Sequence, residues 1–171
     1  MKHEEILDVV DDNNNIIAQK SKDEIHKLNL KHRTSHIFVI NDLNQIFMQL
    51  RAKTKKQFPN KWDISAAGHL NAGESYIEAA NRELFEELTV DLPYENFIEI
   101  GELPASKENG FEFIKLYIVN YSGTIKLQYE EVETGAWFDI NILDKWIKDF
   151  PEKFADGFKE IFELYLKKIK K

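Results

Sequence analysis

Gly68-His69-Leu70-Asn71-Ala72-Gly73-Glu74, then Ser75 to Asn81, then Arg82-Glu83-Leu84-Phe85-Glu86-Glu87-Leu88-Thr89-Val90 form one continuous stretch that decides how this chain folds. Ile77, Ala80, Leu84 and Leu88 fall at i, i+3, i+7 and i+11, which is one face of an α-helix. Ser75 is placed to cap its N-terminus, and Glu78 three residues later completes a capping box. Measured from Ile77 at about 100° per residue, Glu86, Glu83 and Glu87 sit near 180°, 240° and 280°. Three carboxylates therefore share an arc beside the buried face. Like charges so close repel, and each raises its neighbours' pKa. Solvated helices normally intersperse lysines; here only Arg82 is near, four residues from both Glu78 and Glu86. A divalent cation would neutralise the arc, and hard carboxylate oxygens suit Mg²⁺ or Mn²⁺. Gly68 and Gly73 bracket a tight turn able to offer backbone amides to an anion or a carbonyl to a metal. Glu-rich helices are also common as solvated faces, and on composition alone that reading stays open.

Outward from this stretch, the chain reads as a mixed sheet with helices interspersed. Asp11–Asn15 is a hairpin turn between two short strands, and Asp23–Leu30 is a short helix or a loop. His36–Ile40 and Gln45–Leu50 form a second hairpin, apolar on both faces as central strands are. Further strands are expected at Trp62–Ala67, Phe97–Leu103, Glu112–Asn120 and Ala136–Asp139, with helices over Asn141–Asp149 and about Glu152–Lys170. The last carries Phe154, Phe158, Ile161, Phe162, Tyr165 and Ile169 on one stripe, which reads as core packing rather than a partner surface. The fold class is α/β or α+β in a single domain, residues 1–171.

The 171 residues suffice for a full hydrophobic core. The absence of Cys removes disulfides, thiolate metal sites and any Cys nucleophile. A formal net charge of −7 argues against general nucleic-acid binding, which needs a dominant basic surface. No apolar run approaches the roughly 18 residues of a membrane span. Met1-Lys2-His3-Glu4-Glu5 shows no apolar signal region, so the expected location is cytoplasmic.

The segment from Gly68 to Val90 resembles the Nudix box: Gly, five residues, Glu, seven residues, then Arg-Glu-aliphatic-any-Glu-Glu-any-Gly-aliphatic. Gly68, Glu74, Arg82, Glu83, Leu84, Glu86, Glu87 and Val90 fall in place. Thr89 departs, standing where the family has a glycine suited to a left-handed helix end. A narrower likeness rests on His32-Arg33, Gln57-Phe58-Pro59-Asn60-Lys61-Trp62-Asp63, Ala67-Gly68-His69 and Glu130-Glu131-Val132. These resemble the subgroup of type I isopentenyl-diphosphate isomerases and their hydrolase relatives. The isomerases use a Cys just before the Gly-His step, where this chain has Ala67. Moving a proton on and off an allylic carbon needs an acid–base pair, so isomerisation is disfavoured and diphosphate hydrolysis remains.

The resemblance implies an α/β/α sandwich around a mixed sheet and water attack on phosphorus in a nucleoside-diphosphate-X or related small molecule. It maps Glu83, Glu86 and Glu87 to Mg²⁺ or Mn²⁺, with the Gly68 carbonyl completing the shell and Arg82 orienting the glutamates. Glu74 is open between pairing with Arg82, capping the helix, and a metal role. The general base is a box glutamate or an acid outside the box: Glu130, Glu131 or Glu133, with Glu131 among the catalytic candidates. Glu112 matches a position near the metals in the isomerase-like subgroup; an outward, solvated Glu112 is the alternative. His69 stands where the isomerases bind metal, although in a hydrolase it would line the substrate pocket. Arg33 touches substrate phosphate or only positions its strand. Arg51, Lys53, Lys55 and Lys56 form a basic run, with Arg51 and Lys55 the candidates for attracting a diphosphate; a solvated loop is the alternative. Trp62, Phe58 and Tyr76 would stack a base, bury an isoprenoid tail or simply belong to the core. His3, His26 and His36 receive no functional role. The competing functions are a prenyl-diphosphate-directed enzyme and a catalytically silent ligand sensor. The family resemblance also brings a homodimer into view, with no membrane association.

Overall fold

The computed structural model describes residues 4–130 and 132–170. β1 (Ile6–Val10) and β2 (Ile16–Ser21) form a two-stranded antiparallel hairpin around the expected turn. Asp11 Oδ1 accepts from the amides of Asn13 and Asn15, which closes that turn. α1 (Lys22–Leu28) follows, capped by the Ser21 side chain and ended by Asn29 in the left-handed conformation.

Among the described residues, seven strands form the main sheet: β3 (His32–Ile40), β4 (Gln45–Arg51), β5 (Trp62–Asp63), β6 (Ala66–His69), β7 (Ile98–Leu103), β8 (Glu112–Asn120) and β9 (Val132–Asp139). β3 and β8 run parallel at its centre, and the other pairings are antiparallel. β3 pairs with β4 only at Ile40↔Ile46, then with β6 along the same edge, from Ile37↔Ala66 to Thr34↔His69. The sheet thus splits, with β6 entering between its halves. The single strand expected at Trp62–Ala67 is two short ones for this reason. Ser65 lies at the break, its hydroxyl donating to the Phe47 carbonyl and accepting from the Val39 amide.

Both faces of the sheet are covered. α2 (Tyr76–Leu88) packs Ala80, Leu84 and Leu88 against Ile37, Val39, Ala66, Tyr117 and Val119. α3 (Ile140–Asp149) and α4 (Phe158–Ile169) bury Leu143, Ile147, Phe158, Ile161 and Phe162 against Phe38, Ile114 and Leu116 on the other face. The sandwich is the one expected. Full burial of Leu84 and Leu88 stabilises by roughly 1.5–3 kcal/mol each and fixes the carboxylate arc over the sheet. No helix among the described residues is long and apolar enough to cross a membrane.

One helix boundary differs from expectation, and one helix end is made without the glycine it favours. The C-terminal helix starts at Phe158, not Glu152: Pro151–Lys153 form a 3₁₀ turn, Phe154 is extended, and Gly157 has φ 78°. Phe154 still stacks on Phe158 at 5.3 Å, so the apolar stripe survives the break as far as Tyr165, while Ile169 at its end is exposed. At the end of α2, Thr89 takes the left-handed conformation (φ 55°, ψ 35°) that favours glycine. That conformation costs about 1–2 kcal/mol for an L-residue. The Thr89 hydroxyl offsets part of it by donating to the Lys126 carbonyl, 3.1 Å, and accepting from Gln128 Nε2, 3.4 Å.

Candidate functional site

The capping box forms as read: Ser75 accepts from the Glu78 amide while the Glu78 carboxylate accepts from the Ser75 amide. From this start α2 carries Arg82, Glu83, Glu86 and Glu87 past β6. Arg82 is clamped at five points. Its Nε and Nη2 donate to the two Glu74 oxygens, both at 2.9 Å. Nη2 also donates to the His69 carbonyl, and Nη1 donates to Glu83 and, at 3.2 Å, to Glu86. Glu74 is therefore the partner of Arg82, and its Oε2 also accepts from the Asn71 amide.

The three box glutamates separate. Glu86 is outermost, its side chain 56% exposed. Glu83 turns inward over Gly68, where any Cβ would collide with its carboxylate. Glu87 is 8% exposed and accepts from Gln49 Nε2, 2.8 Å, and from the Ala67 amide. Burial raises both inner carboxyls. Arg82 opposes the rise at Glu83, and the Glu83 charge adds to it at Glu87. Two inward carboxylates, Glu83 against the bare Gly68 backbone and Glu87 at the Ala67 amide, fit a small divalent cation bound through hard oxygens. Gly68→Ala is expected to displace Glu83 and weaken Mn²⁺ binding at this centre by about tenfold or more, measured by titration followed by electron paramagnetic resonance.

A second cluster lies on the other side of β6. Strand alternation turns Gly68 toward α2 and His69 toward the opposite face. There His32, Thr34 and His36 of β3 and Glu112 of β8 meet His69, since His32 pairs with Glu112 and Thr34 with His69. α1 adds His26. One ring nitrogen from each of His26, His32 and His69 lies within 4.8 Å of the others. The Nε2 atoms of His32, His36 and His69 each stand 3.8 Å from a Glu112 oxygen, too far for a hydrogen bond. His32 Nδ1 donates to the Leu30 carbonyl, 2.9 Å, which selects the tautomer with its lone pair on Nε2. The Nε2 atoms of His26, His32 and His69 are buried without a hydrogen-bond partner.

Burial lowers the pKa of His69 far below its ordinary value and lowers that of His26, keeping both neutral as ligands must be. At Glu112 burial acts upward, but the facing imidazoles of His32, His36 and His69 outweigh it and hold the carboxyl well below the usual range. Orphaned imidazole nitrogens around an ionised carboxylate fit a cation of intermediate softness such as Zn²⁺, Mn²⁺ or Fe²⁺.

Sequence reading gave His26 and His36 no role, and both face this cluster. The period-two spacing of His32, Thr34 and His36 on one strand face was the available signal for His36. Nothing local pointed to His26. Glu112 faces inward, not to solvent. Arg33 sits on the α2 side of β3, its guanidinium taken up by the Asn14 side chain and carbonyl and 5.9 Å from the Tyr76 ring. Arg51 donates to Asp63 and to the Gln57 carbonyl, shaping the basic loop; Gln57 Nε2 in turn lies 3.4 Å from His26 Nδ1. The Lys55 charge acts on Glu87, and that of Lys22 on Glu83, His26 and His69. Trp62 packs against Phe138 and Trp146 in the core. Glu131 and His3 lie outside the described residues. Glu133 pairs with Lys53 at 3.7 Å. The segment leading to Glu130 is tied to α2 where the amides of Lys126 and Gln128 donate to the Leu88 and Glu87 carbonyls.

Residues 30–159 match the family model described as the NUDIX domain. An uncharacterized Nudix hydrolase of Nostoc sp. is 37% identical over 148 residues, covering 86% of this chain and 88% of the relative. A protein of Photorhabdus laumondii named isopentenyl-diphosphate Delta-isomerase 2 is 30% identical over 161 residues, covering 92% and 90%. Among solved structures, a Deinococcus radiodurans protein superposes with a TM-score of 0.79 at 23% identity, covering 96% of this chain and 99% of its own.

Proposed function

The chain belongs to the Nudix hydrolase family, and from that premise we propose that it hydrolyses a diphosphate linkage in a small molecule, with Mg²⁺ or Mn²⁺ held by Glu83, Glu87 and the Gly68 carbonyl. The observation that carries this reading is the pair of inward carboxylates, Glu83 over the bare Gly68 and the buried Glu87 beside it, whose ionised forms burial disfavours. A cation bound there would neutralise charge on the phosphate oxygens. The chain's own residues supply the rest. Arg82 fixes Glu83 and, through Glu74 and the His69 carbonyl, the loop before the helix. Gln49 orients Glu87. Lys22 and Lys55 supply positive potential for a diphosphate, with Arg51 holding the basic loop in shape. A box carboxylate or Glu131 takes the proton of the attacking water.

A second reading, an activity directed at prenyl diphosphates, is favoured by the cluster of His26, His32, His69 and Glu112 and by the isomerase name of the Photorhabdus relative. Ala67 leaves no thiol at the step before Gly68, so hydrolysis is the reaction expected on such a substrate. Both readings are tested by one panel: ADP-ribose, an oxidised nucleoside triphosphate, a dinucleotide polyphosphate, a coenzyme A conjugate and isopentenyl diphosphate, each with Mg²⁺. Release of phosphate or monophosphate from at least one, abolished by chelator, is the expected result. Interconversion of isopentenyl and dimethylallyl diphosphate without hydrolysis of any compound would overturn the assignment.

A further inference from the structure

The N-terminal hairpin is not merely an appendage to the sheet. Leu7 makes a β-bridge to Asn71, and the Ala72 amide donates to the Ile6 carbonyl, 2.8 Å. Next to these contacts stands Asp8, 2% exposed. Its Oδ1 accepts from Gln19 Nε2 and its Oδ2 from the Gly73 amide, both at 3.0 Å. Gly73 has φ 79°, a left-handed turn that aims its N–H at the hairpin. The next residue, Glu74, is the one that grips Arg82. An unbroken series of polar contacts therefore runs from Asp8 through the Gly73–Glu74 turn and Arg82 to Glu83.

We propose that Asp8 is a positioning residue for the box: by holding the Gly73 amide it sets the Glu74–Arg82–Glu83 geometry and hence the affinity of the box for its cation. This rests on the box being a cation site. Partners behind a metal's own ligands typically govern affinity by about 10- to 100-fold, and a buried hydrogen bond from a backbone amide to a carboxyl group is strong enough to act in that way.

The test is Mn²⁺ binding to the full chain, followed by electron paramagnetic resonance, with the box site defined as the one that Glu87→Gln removes. Asp8→Ala should weaken that site about 10- to 100-fold. Asp8→Asn, which keeps a carbonyl oxygen for the Gly73 amide, should restore most of the affinity. Gln19→Ala, which leaves the Gly73 contact, should change it little.

Wild-type protein offers an independent reading that needs no variant to fold. Coupling is reciprocal, so saturating Mg²⁺ should slow hydrogen exchange of the Gly73 amide. Unchanged Mn²⁺ affinity in a folded Asp8→Ala protein, or a Gly73 amide indifferent to Mg²⁺, overturns the proposal. If wild-type protein holds no Mn²⁺ that Glu87→Gln removes, the box reading itself fails, and the clamp with it.

Discussion

Glu87→Gln is expected to lower kcat by about three orders of magnitude or more, equivalent to roughly 4 kcal/mol of transition-state stabilisation. The substitution is nearly isosteric, and the new amide's carbonyl oxygen can still accept from Gln49. What disappears is one of two ionised oxygen donors in a buried position. The same change removes a carboxyl whose ionised form is disfavoured by burial and then by the Glu83 charge, so the metal-free variant should melt no lower than wild type. Loss of turnover with retained or raised stability separates a chemical role from a structural one. Glu86→Gln is the comparison: that side chain is outermost and touches Arg82, so it should cost less than Glu87→Gln. Steady-state kinetics on whichever diphosphate the panel identifies, with calorimetric melting of both variants, gives the answer. A Glu87→Gln enzyme within tenfold of wild type would remove the box from the chemistry.

The second large effect is on the metal-free protein's response to pH. The folded pKa values of Glu83 and Glu87 are raised above the ordinary 4.5. The folded state then binds their protons more tightly than the unfolded state, so stability falls as pH rises from 4.5 through the raised values. His26 and His69 have folded pKa values lowered below 6.5. They oppose that slope chiefly below pH 6.5, the ordinary pKa at which the unfolded imidazoles are half deprotonated, and their effect fades above it. Glu112 is held low, so its contribution is fully present above 4.5 and is lost only as pH falls through its depressed folded value. Above pH 6.5 the two box carboxyls are left to set the trend. In chelator, Tm should drop by several degrees from pH 6.5 into mild alkali, at about 2–4 °C per kcal/mol for a chain of this size. Saturating Mg²⁺ should abolish the drop, as should the double substitution Glu83→Gln, Glu87→Gln. A flat or rising profile in chelator would show that these carboxyls are not strained by burial.

What could be read from the sequence was what lay close together in it. The capping box of Ser75 and Glu78, the apolar face of α2 and the bounds of β8 are local patterns, and the structure repeats them. The inward turn of Glu83 and Glu87 and the outward turn of Glu86 needed β6, because the wheel alone placed all three beside the buried face. The histidine cluster draws one side chain from α1, two from β3, one from β6 and one carboxylate from β8. No spacing rule connects residues 26, 69 and 112. The start of the last helix missed the pattern for a different reason: at Gly157 a left-handed residue decides the boundary, and apolar periodicity carries no information about backbone handedness. Arg33 shows the same limit in a strand, since its neighbour His32 faces the cluster while Arg33 itself bonds to Asn14.

β6 serves a different centre with each of two successive residues, Gly68 toward the box helix and His69 toward the imidazoles. A single insertion or deletion between Trp62 and Gly68 would invert that assignment, swinging an imidazole into the space where only a hydrogen atom fits. The number of residues in this segment is therefore frozen in a way that the Asp11–Asn15 turn is not, and length variation in a library of this gene should survive at the turn and vanish at the strand.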